Sequence, residues 1–363
     1  MQAADAPLLI TELPTANGCV LGSLTLNVEA SLNSLTLEMI RAMNMALTNW
    51  RSREDVAAIV LSGRGPKAFC AGGDIQALYR SCVANQQAGS EVDDYARCFF
   101  TEEYQLDLLM HQYPKPIMTL GHGVVMGGGF GLLSASRFRV LTERSRLAFP
   151  EITIGLCPDA GGSWVLKQLP LAVAAFLGLT GSQLNARDAL SLGIGTHVIG
   201  HDSREDVLTD LAELSWQLSS DAANSAVLED FLAALHKAPR ELPSELEALP
   251  EWAVQVEDLV STAAALFALQ GQSEWIDRGL DNLRRGCPTT AAIVLEQLRR
   301  VQDMTLSESF AMELAIATRC AQLADFPEGV RALLIDKDGQ PDWQYKTFAQ
   351  TPKAHVLSHF VNS

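Results

Sequence analysis

Hydrophobic and polar positions follow two regimes along the chain. In the first half, short apolar runs of strand length alternate with stretches of helical spacing. Residues 20–26 have strand character, and Asn27 ends them. Thr36 stands where a helix N-cap belongs, and Leu37, Ile40, Met43, Leu47 and Trp50 recur behind it at three- and four-residue steps. Residues 57–61 form a buried-strand run entering a glycine turn at 62–65. Helical spacing returns through Ile75, Leu78 and Val83, and again from about residue 93 to 111. Residues 116–120, 138–141 and 147–149 read as strands, and Pro158 with Gly161 and Gly162 introduces a helix from about Ser163. From Ser203 onward Ala, Leu, Glu and Gln recur at helical spacing, with few strand candidates. The proline-broken, acidic stretch 238–250 reads as an exposed connector, and 330–335 as extended or helix-ending. The pattern predicts an α/β chain, with a core over residues 1–203 and a mainly helical region over 204–363.

One stretch interrupts this regularity. Six glycines fall within residues 121–131, after the strand run and before a small-residue helix expected at 132–137. Glycine permits positive φ and lets another group approach the main chain closely. A glycine cluster opening a helix leaves free N–H donors at its positive end, suited to an anion; a tight packing turn is the plainer alternative. A second glycine turn spans residues 67–75. If the turns around Gly72–Gly73 and Gly127–Gly128 converge, their N–H groups form a two-donor oxyanion hole.

Charge narrows the partners. The 363 residues carry 43 acidic and 27 basic side chains, a net charge of −16, and no basic block, so nucleic acid is not an expected partner. Hydrophobic residues make up 48% and charged ones 19%, a globular composition. Seven scattered cysteines without a CxxC pair fit a reducing compartment. The N-terminal residues carry neither a secretory nor a transit pattern, and no apolar run reaches membrane-span length. The expectation is a cytoplasmic protein with no membrane partner.

Two carboxylates are the chemical candidates. Glu151 follows a proline in an apolar setting, which raises a carboxyl pKa and suits general-base work; a turn or surface carboxylate is the ordinary alternative. Asp159 follows Pro158 at a position that also fits a helix N-cap. Other chemistries lack their residues: there is no GxSxG elbow, GxxxxGK[ST] loop or HExxH helix. The seven histidines are spread along the chain, and His122 reads as a packed or hydrogen-bonded side chain. A Rossmann reading of Gly127-x-Gly129 would need glycine at Leu132.

Together these stretches carry a resemblance. Residues 67–75 (KAFCAGGDI), Gly121-x-Gly123-x-x-Met126-Gly-Gly-Gly129, and Phe149-Pro-Glu151 followed by Gly155-x-x-Pro158-x-x-Gly-Gly162 resemble the signatures of the crotonase (enoyl-CoA hydratase/isomerase) superfamily. The Glu151/Asp159 pair, the segment Phe99-Phe-x-x-Glu-Glu103-Tyr104 and residues 325–338 are similar to its 3-hydroxyisobutyryl-CoA hydrolase branch, an enzyme group of valine breakdown. The resemblance implies the crotonase-like spiral of ββα units, with a helical C-terminal region that completes the pocket or makes subunit contacts. It implies Gly73 and Gly128 as oxyanion donors, Glu151 as nucleophile or base, and Asp159 as orienting group or acid. Glu103 would bind the acyl hydroxyl, and Ala71, Asp74 and Gly127 would line the substrate. It implies an acyl-CoA substrate, no separate cofactor or metal, and a possible homo-oligomer, trimer or dimer. The departures are Gly131, where the hydratases carry a second glutamate, and Val28-Glu29, where an Arg-Pro pair is usual. Thioester hydrolysis is therefore expected, with hydration or isomerisation second, and a non-catalytic CoA-binding or scaffold protein as the alternative of another class.

Overall fold

The computed structural model describes residues 5–249, 266 and 273–361. The chain divides into two compact units that each draw on several segments. The first comprises Met1–Gly73, Gln105–Leu147 and Leu184–Ser244, and the second Asp74–Tyr104, Ala148–Gln183 and Glu245–Ser363.

The first unit is built on a six-stranded sheet. In spatial order it runs β1 (Leu8–Pro14), β2 (Val20–Leu26), β3 (Val56–Gly63), β5 (Ile117–Gly121), β7 (Phe138–Thr142) and β10 (His197–Ile199). Only β1 pairs antiparallel, with Leu8 opposite Leu26; the remaining pairs are parallel. Seven of the eight β3 residues are buried, as a strand covered on both faces requires. Helix α1 (Leu37–Arg51) starts at Thr36, whose hydroxyl accepts from Met39 N at 3.2 Å, and its five expected apolar positions are all buried. A Cβ at Gly22 of β2 would lie 2.6 Å from the Trp50 ring, so that glycine makes room for the helix. Helices α8 (Arg204–Ala212) and α9 (Asp221–Leu235) send Val207, Leu211, Leu228 and Leu232 into one apolar cluster with Leu21, Val60, Met118 and Val140 of the sheet. Each such side chain contributes about 1.5–3 kcal/mol by leaving water.

A second, four-stranded sheet of the first unit runs β4 (Ala68–Cys70), β6 (Val124–Met126), β8 (Arg146–Ala148) and β9 (Leu184–Asn185). Short helices α4 (Gly128–Ser134) and α7 (Ala186–Ser191) complete this unit. Two expectations change here. Residues 124–126 form a strand inside the glycine stretch, and the following helix begins at Gly128 instead of Leu132 and ends at Ser134. Glycine there is a packing requirement and not a helix breaker: a Cβ at Gly129 would sit 2.3 Å from the Cys70 carbonyl oxygen.

The second unit is helical. It holds α2 (Ile75–Ala88), the first part of α3 (Tyr95–His111), α5 (Gly162–Lys167), α6 (Leu171–Thr180), α10 (Glu274–Arg285), α11 (Pro288–Val301), α12 (Leu306–Gln322), α13 (Asp325–Val330) and α14 (Lys353–Leu357). Phe176 of α6 and Trp275 of α10 pack with ring centroids 4.9 Å apart, and the Trp275 indole donates to Gln183 O at 2.7 Å. Asp325 ties three segments together, accepting from Thr289 Oγ1 (2.8 Å), Cys287 Sγ (3.5 Å) and Gln344 N (2.7 Å). Helix α12 opens with a full capping box between Thr305 and Glu308.

Residues 330–335, expected to be extended or helix-ending, continue α13 as the π-helical turn Arg331–Ile335. No residue of 238–249 is buried, in keeping with an exposed connector. Its last residue, Pro250, and the helical spacing read through 251–265 and 267–272 lie outside the described residues.

Candidate active site

In the first unit the two glycine turns come together. Gly72 has φ +112° and Gly127 φ +49°, both in the range that favours glycine. A Cβ on Gly72 would meet Met126 O at 3.4 Å, Gly127 Cα at 3.6 Å and Gly128 N at 3.8 Å, so a single added carbon would bridge the two turns. Gly128 is the first residue of α4, where an N–H has no carbonyl one turn back. Neither the Gly73 nor the Gly128 N–H donates to a main-chain acceptor among the described residues. The Ala71 N–H is already taken by Leu32 O at 3.0 Å, and the Gly127 carbonyl accepts from Gly131 N at 3.0 Å. Two free N–H groups in adjoining turns are what an oxygen acquiring negative charge needs.

Asn33 holds this loop system from behind. It is buried with φ +58°, donates through Nδ2 to Arg64 O and Ala68 O (both 3.0 Å), and accepts from Val28 N at 2.9 Å. His122 is a packed histidine, its Nε2 2.8 Å from Gly65 O, and burial pushes it down to about 4. It is neutral and hydrogen-bonded, as expected.

The second unit gathers carboxyl groups. Glu151 stands on the 3₁₀ turn Pro150–Thr153 and is 4% exposed. Its Oε2 is buried with no hydrogen-bond partner among the described residues. Burial, then the neighbouring Asp159, pushes its carboxyl well above the usual range. Asp159 is 8% exposed and accepts from the Tyr104 hydroxyl at 2.5 Å through Oδ2. Burial raises Asp159 to about 6, against the downward pull of that hydrogen bond. Burial and the adjacent Asp159 hold the Tyr104 phenol well above its ordinary value. Two buried, interacting carboxyls whose pKa values are both raised are placed to take and return protons.

The N-cap reading of Asp159 does not hold. Helix α5 is preceded by Gly161 in the left-handed region (φ +84°) with no side-chain cap; the Gly162 N–H donates to the Asp159 main-chain carbonyl at 2.7 Å, and the N–H groups on either side of it are met by another side chain. Glu313 of α12, fully buried, accepts from Gly161 N at 2.8 Å and Ser163 N at 2.7 Å. Burial pushes Glu313 up to about 8, although both N–H bonds favour its ionised form.

The other expected residues are placed as follows. Asp74 caps α2, accepting from Ala77 N at 3.0 Å. Glu103 is buried on α3 next to Tyr104. Glu313 and Gln297 were not singled out from sequence, and Tyr104 was named there only as part of the motif at 99–104. For Glu313 a signal existed: it shares the buried stripe of α12 with Phe310, Ile316, Ala317 and Cys320, where a charged residue is out of place. Among the described residues no cluster of His, Cys, Asp and Glu is arranged to hold a metal ion.

Known proteins share this arrangement of elements. Residues 21–360 match the family described as enoyl-CoA hydratase/isomerase. The 3-hydroxyisobutyryl-CoA hydrolase of Danio rerio, a mitochondrial protein, is 36% identical over 343 residues, covering 92% of this chain and 85% of that one. The Homo sapiens protein of the same name is 35% identical over 358 residues, covering 94% and 86%. Among solved structures, a carnitinyl-CoA dehydratase from Mycobacterium thermoresistibile superposes with a TM-score of 0.81 at 28% identity, covering 98% of this chain and 96% of that one. An enoyl-CoA hydratase from Rhodobacter sphaeroides superposes with a TM-score of 0.78 at 30% identity, covering 98% and 97%. The chain has the crotonase fold and belongs to the enoyl-CoA hydratase/isomerase family, and the two relatives described above are named as 3-hydroxyisobutyryl-CoA hydrolases.

Proposed function

We propose that this protein hydrolyses an acyl-CoA thioester, with 3-hydroxyisobutyryl-CoA as substrate and 3-hydroxyisobutyrate and CoA as products. The observation that carries this reading is the buried pair Glu151 and Asp159, both with raised carboxyl pKa values, in a chain whose family handles acyl-CoA thioesters. The relatives named for that hydrolysis supply the acyl group.

In this reading the thioester carbonyl oxygen accepts from the Gly73 and Gly128 N–H groups. Glu151 attacks the carbonyl carbon, or takes a proton from the water that does, and the C=O bond becomes a tetrahedral oxyanion held by the two donors. Losing one such donor costs on the order of 100- to 1000-fold in rate. The C–S bond then breaks and the CoA sulfur takes a proton from the carboxyl pair. Where water attacked, the acyl product leaves as the free acid carrying the water oxygen; where Glu151 attacked, the acyl group remains on it as an anhydride, which a water molecule cleaves to release the acid and restore the Glu151 carboxyl. Asp159 orients the attack or supplies that proton, and Glu103 accepts from the acyl hydroxyl. Gly127, Ala71 and Asp74 contribute backbone along the acyl-CoA. No separate cofactor or metal enters this chemistry.

Hydration is the second reading, favoured by the enoyl-CoA hydratase and carnitinyl-CoA dehydratase among the structural neighbours. Against it stands Gly131, buried within α4, where the hydratases' second glutamate would be expected. A panel of acyl-CoAs separates the readings by free-thiol release and by loss of enoyl absorbance. Thiol release from 3-hydroxyisobutyryl-CoA with no hydration of crotonyl-CoA is the expected result. Hydration without release overturns hydrolysis in favour of the second reading, and no turnover of any member leaves a CoA-binding or scaffold role. The proposal includes a homo-oligomer, dimer or trimer, read out by analytical ultracentrifugation. A cytoplasmic location rests on the seven free thiols, while the named relatives are mitochondrial; subcellular fractionation decides it.

A further inference from the structure

The loop that carries Asp159 is held in an unfavourable backbone shape by two side chains that come from far along the chain. Ala160 has φ +51° and is fully buried, and Gly161 has φ +84°. A non-glycine residue keeps such a conformation only where its surroundings over-determine it. Those restraints flank Asp159 on both sides. Gln297 of α11 donates through Nε2 to Pro158 O (3.0 Å) and to Ser163 Oγ (2.9 Å). Glu313 of α12 takes the N–H of Gly161 on one carboxyl oxygen and that of Ser163 on the other.

We propose that Glu313 is a positioning residue for Asp159: by bridging the Gly161 and Ser163 N–H groups it fixes the 158–163 loop so that the Asp159 carboxyl stays on the Tyr104 hydroxyl, and it sets turnover without meeting the substrate. The chemistry of the side chain fits the task. An ionised carboxyl offers an acceptor on each of its two oxygens, whereas an amide of the same shape offers one acceptor and one donor. Burying a carboxyl in a helix core is costly, so apolar packing would serve stability alone at least as well. Asp159 is the ionisable group next to the loop that Glu313 bridges, and a displacement on the order of 1 Å at such a group costs about 100-fold in rate.

This inference rests on the reading that Asp159 serves thioester hydrolysis, and the experiment separates the two. The kcat and KM for free-thiol release from 3-hydroxyisobutyryl-CoA are measured for wild type, Glu313→Gln, Asp159→Asn and the double variant, with folding checked by circular dichroism. Glu313→Gln should lower kcat by about 10- to 100-fold while KM changes less than about threefold. In the Asp159→Asn background the same substitution should cost less than about twofold, because its effect runs through the group already lost. Equal losses in both backgrounds, or a kcat for Glu313→Gln within about twofold of wild type, overturn the positioning role while leaving hydrolysis standing. Full activity of Asp159→Asn overturns the functional reading and this inference with it. If Glu313→Gln does not fold, Gln297→Ala replaces it. That variant removes the anchor at Pro158 and should lower kcat about fivefold with the same loss of additivity; an unchanged kcat there overturns the inference.

Discussion

Replacing Tyr104 by Phe removes one oxygen atom and one hydrogen bond. The hydroxyl donates to Asp159 Oδ2 at 2.5 Å, with Tyr104 3% and Asp159 8% exposed. A hydrogen bond to an ionised acceptor contributes about 1.5–3 kcal/mol net. It favours the charged form of Asp159, so its loss raises the Asp159 pKa by about 1–2 units at 1.36 kcal/mol per unit. Burial already places Asp159 at about 6, and Tyr104→Phe therefore moves it to about 7–8. The assay is the pH dependence of kcat for thiol release between pH 5 and 9. The inflection near pH 6 in wild type should move upward by about 1–2 units in the variant. Stability follows the same linkage. The folded state binds the Asp159 proton more tightly than the unfolded chain does, so stability falls as pH rises from about 4 to the folded pKa. In Tyr104→Phe that decline extends to about pH 7–8. An inflection that stays within about 0.3 units of wild type would refute the claim that this hydrogen bond sets the proton affinity of Asp159.

Two further perturbations test other parts of the account. Glu313 is raised to about 8 by burial, so wild-type stability should decline between about pH 4.5 and 8, by at most a few kcal/mol. Glu313→Gln should flatten that slope in urea melts taken across the range, and an unchanged slope means the group does not carry it. Gly129→Ala drives a Cβ to within 2.3 Å of the Cys70 carbonyl oxygen, which only a backbone shift can relieve. It should cost about 1–3 kcal/mol in chemical unfolding and lower turnover by displacing the adjacent Gly128 N–H; a variant as stable and active as wild type would show that the two turns are not held in this register.

Where the chain's periodicity carries burial, the sequence could be read directly. Helix α1 runs over its predicted stripe because Thr36 caps it and Leu37, Ile40, Met43, Leu47 and Trp50 all face the core. Strand β3 was legible because a doubly covered parallel strand is apolar throughout. Strand β1 was not: its residues read Leu-Leu-Ile-Thr-Glu-Leu-Pro, only Leu8 is buried, and pairing with β2 alone makes it a strand. The start of α4 was hidden because Gly128, Gly129 and Gly131 carry poor helix propensity, and the nearness of Cys70 that requires glycine at 129 is a tertiary contact. At the candidate site the apolar surroundings of Glu151 correctly pointed to a raised pKa. Asp159 was open between cap and chemistry because the side chain that accepts from Ser163 N at the start of α5, Glu313, lies 150 positions further on. Local spacing cannot show a partner brought in by tertiary packing, and for the same reason the bond from Tyr104 to Asp159, 55 positions apart, could not be read from the sequence.

The most direct measurement is free-thiol release from 3-hydroxyisobutyryl-CoA by wild type and Glu151→Gln at pH 7, with both proteins shown to be folded. The account predicts turnover by wild type and a loss of about 100- to 10,000-fold in the variant, since glutamine can neither attack the carbonyl nor take a proton. Equal release by the two proteins would contradict it.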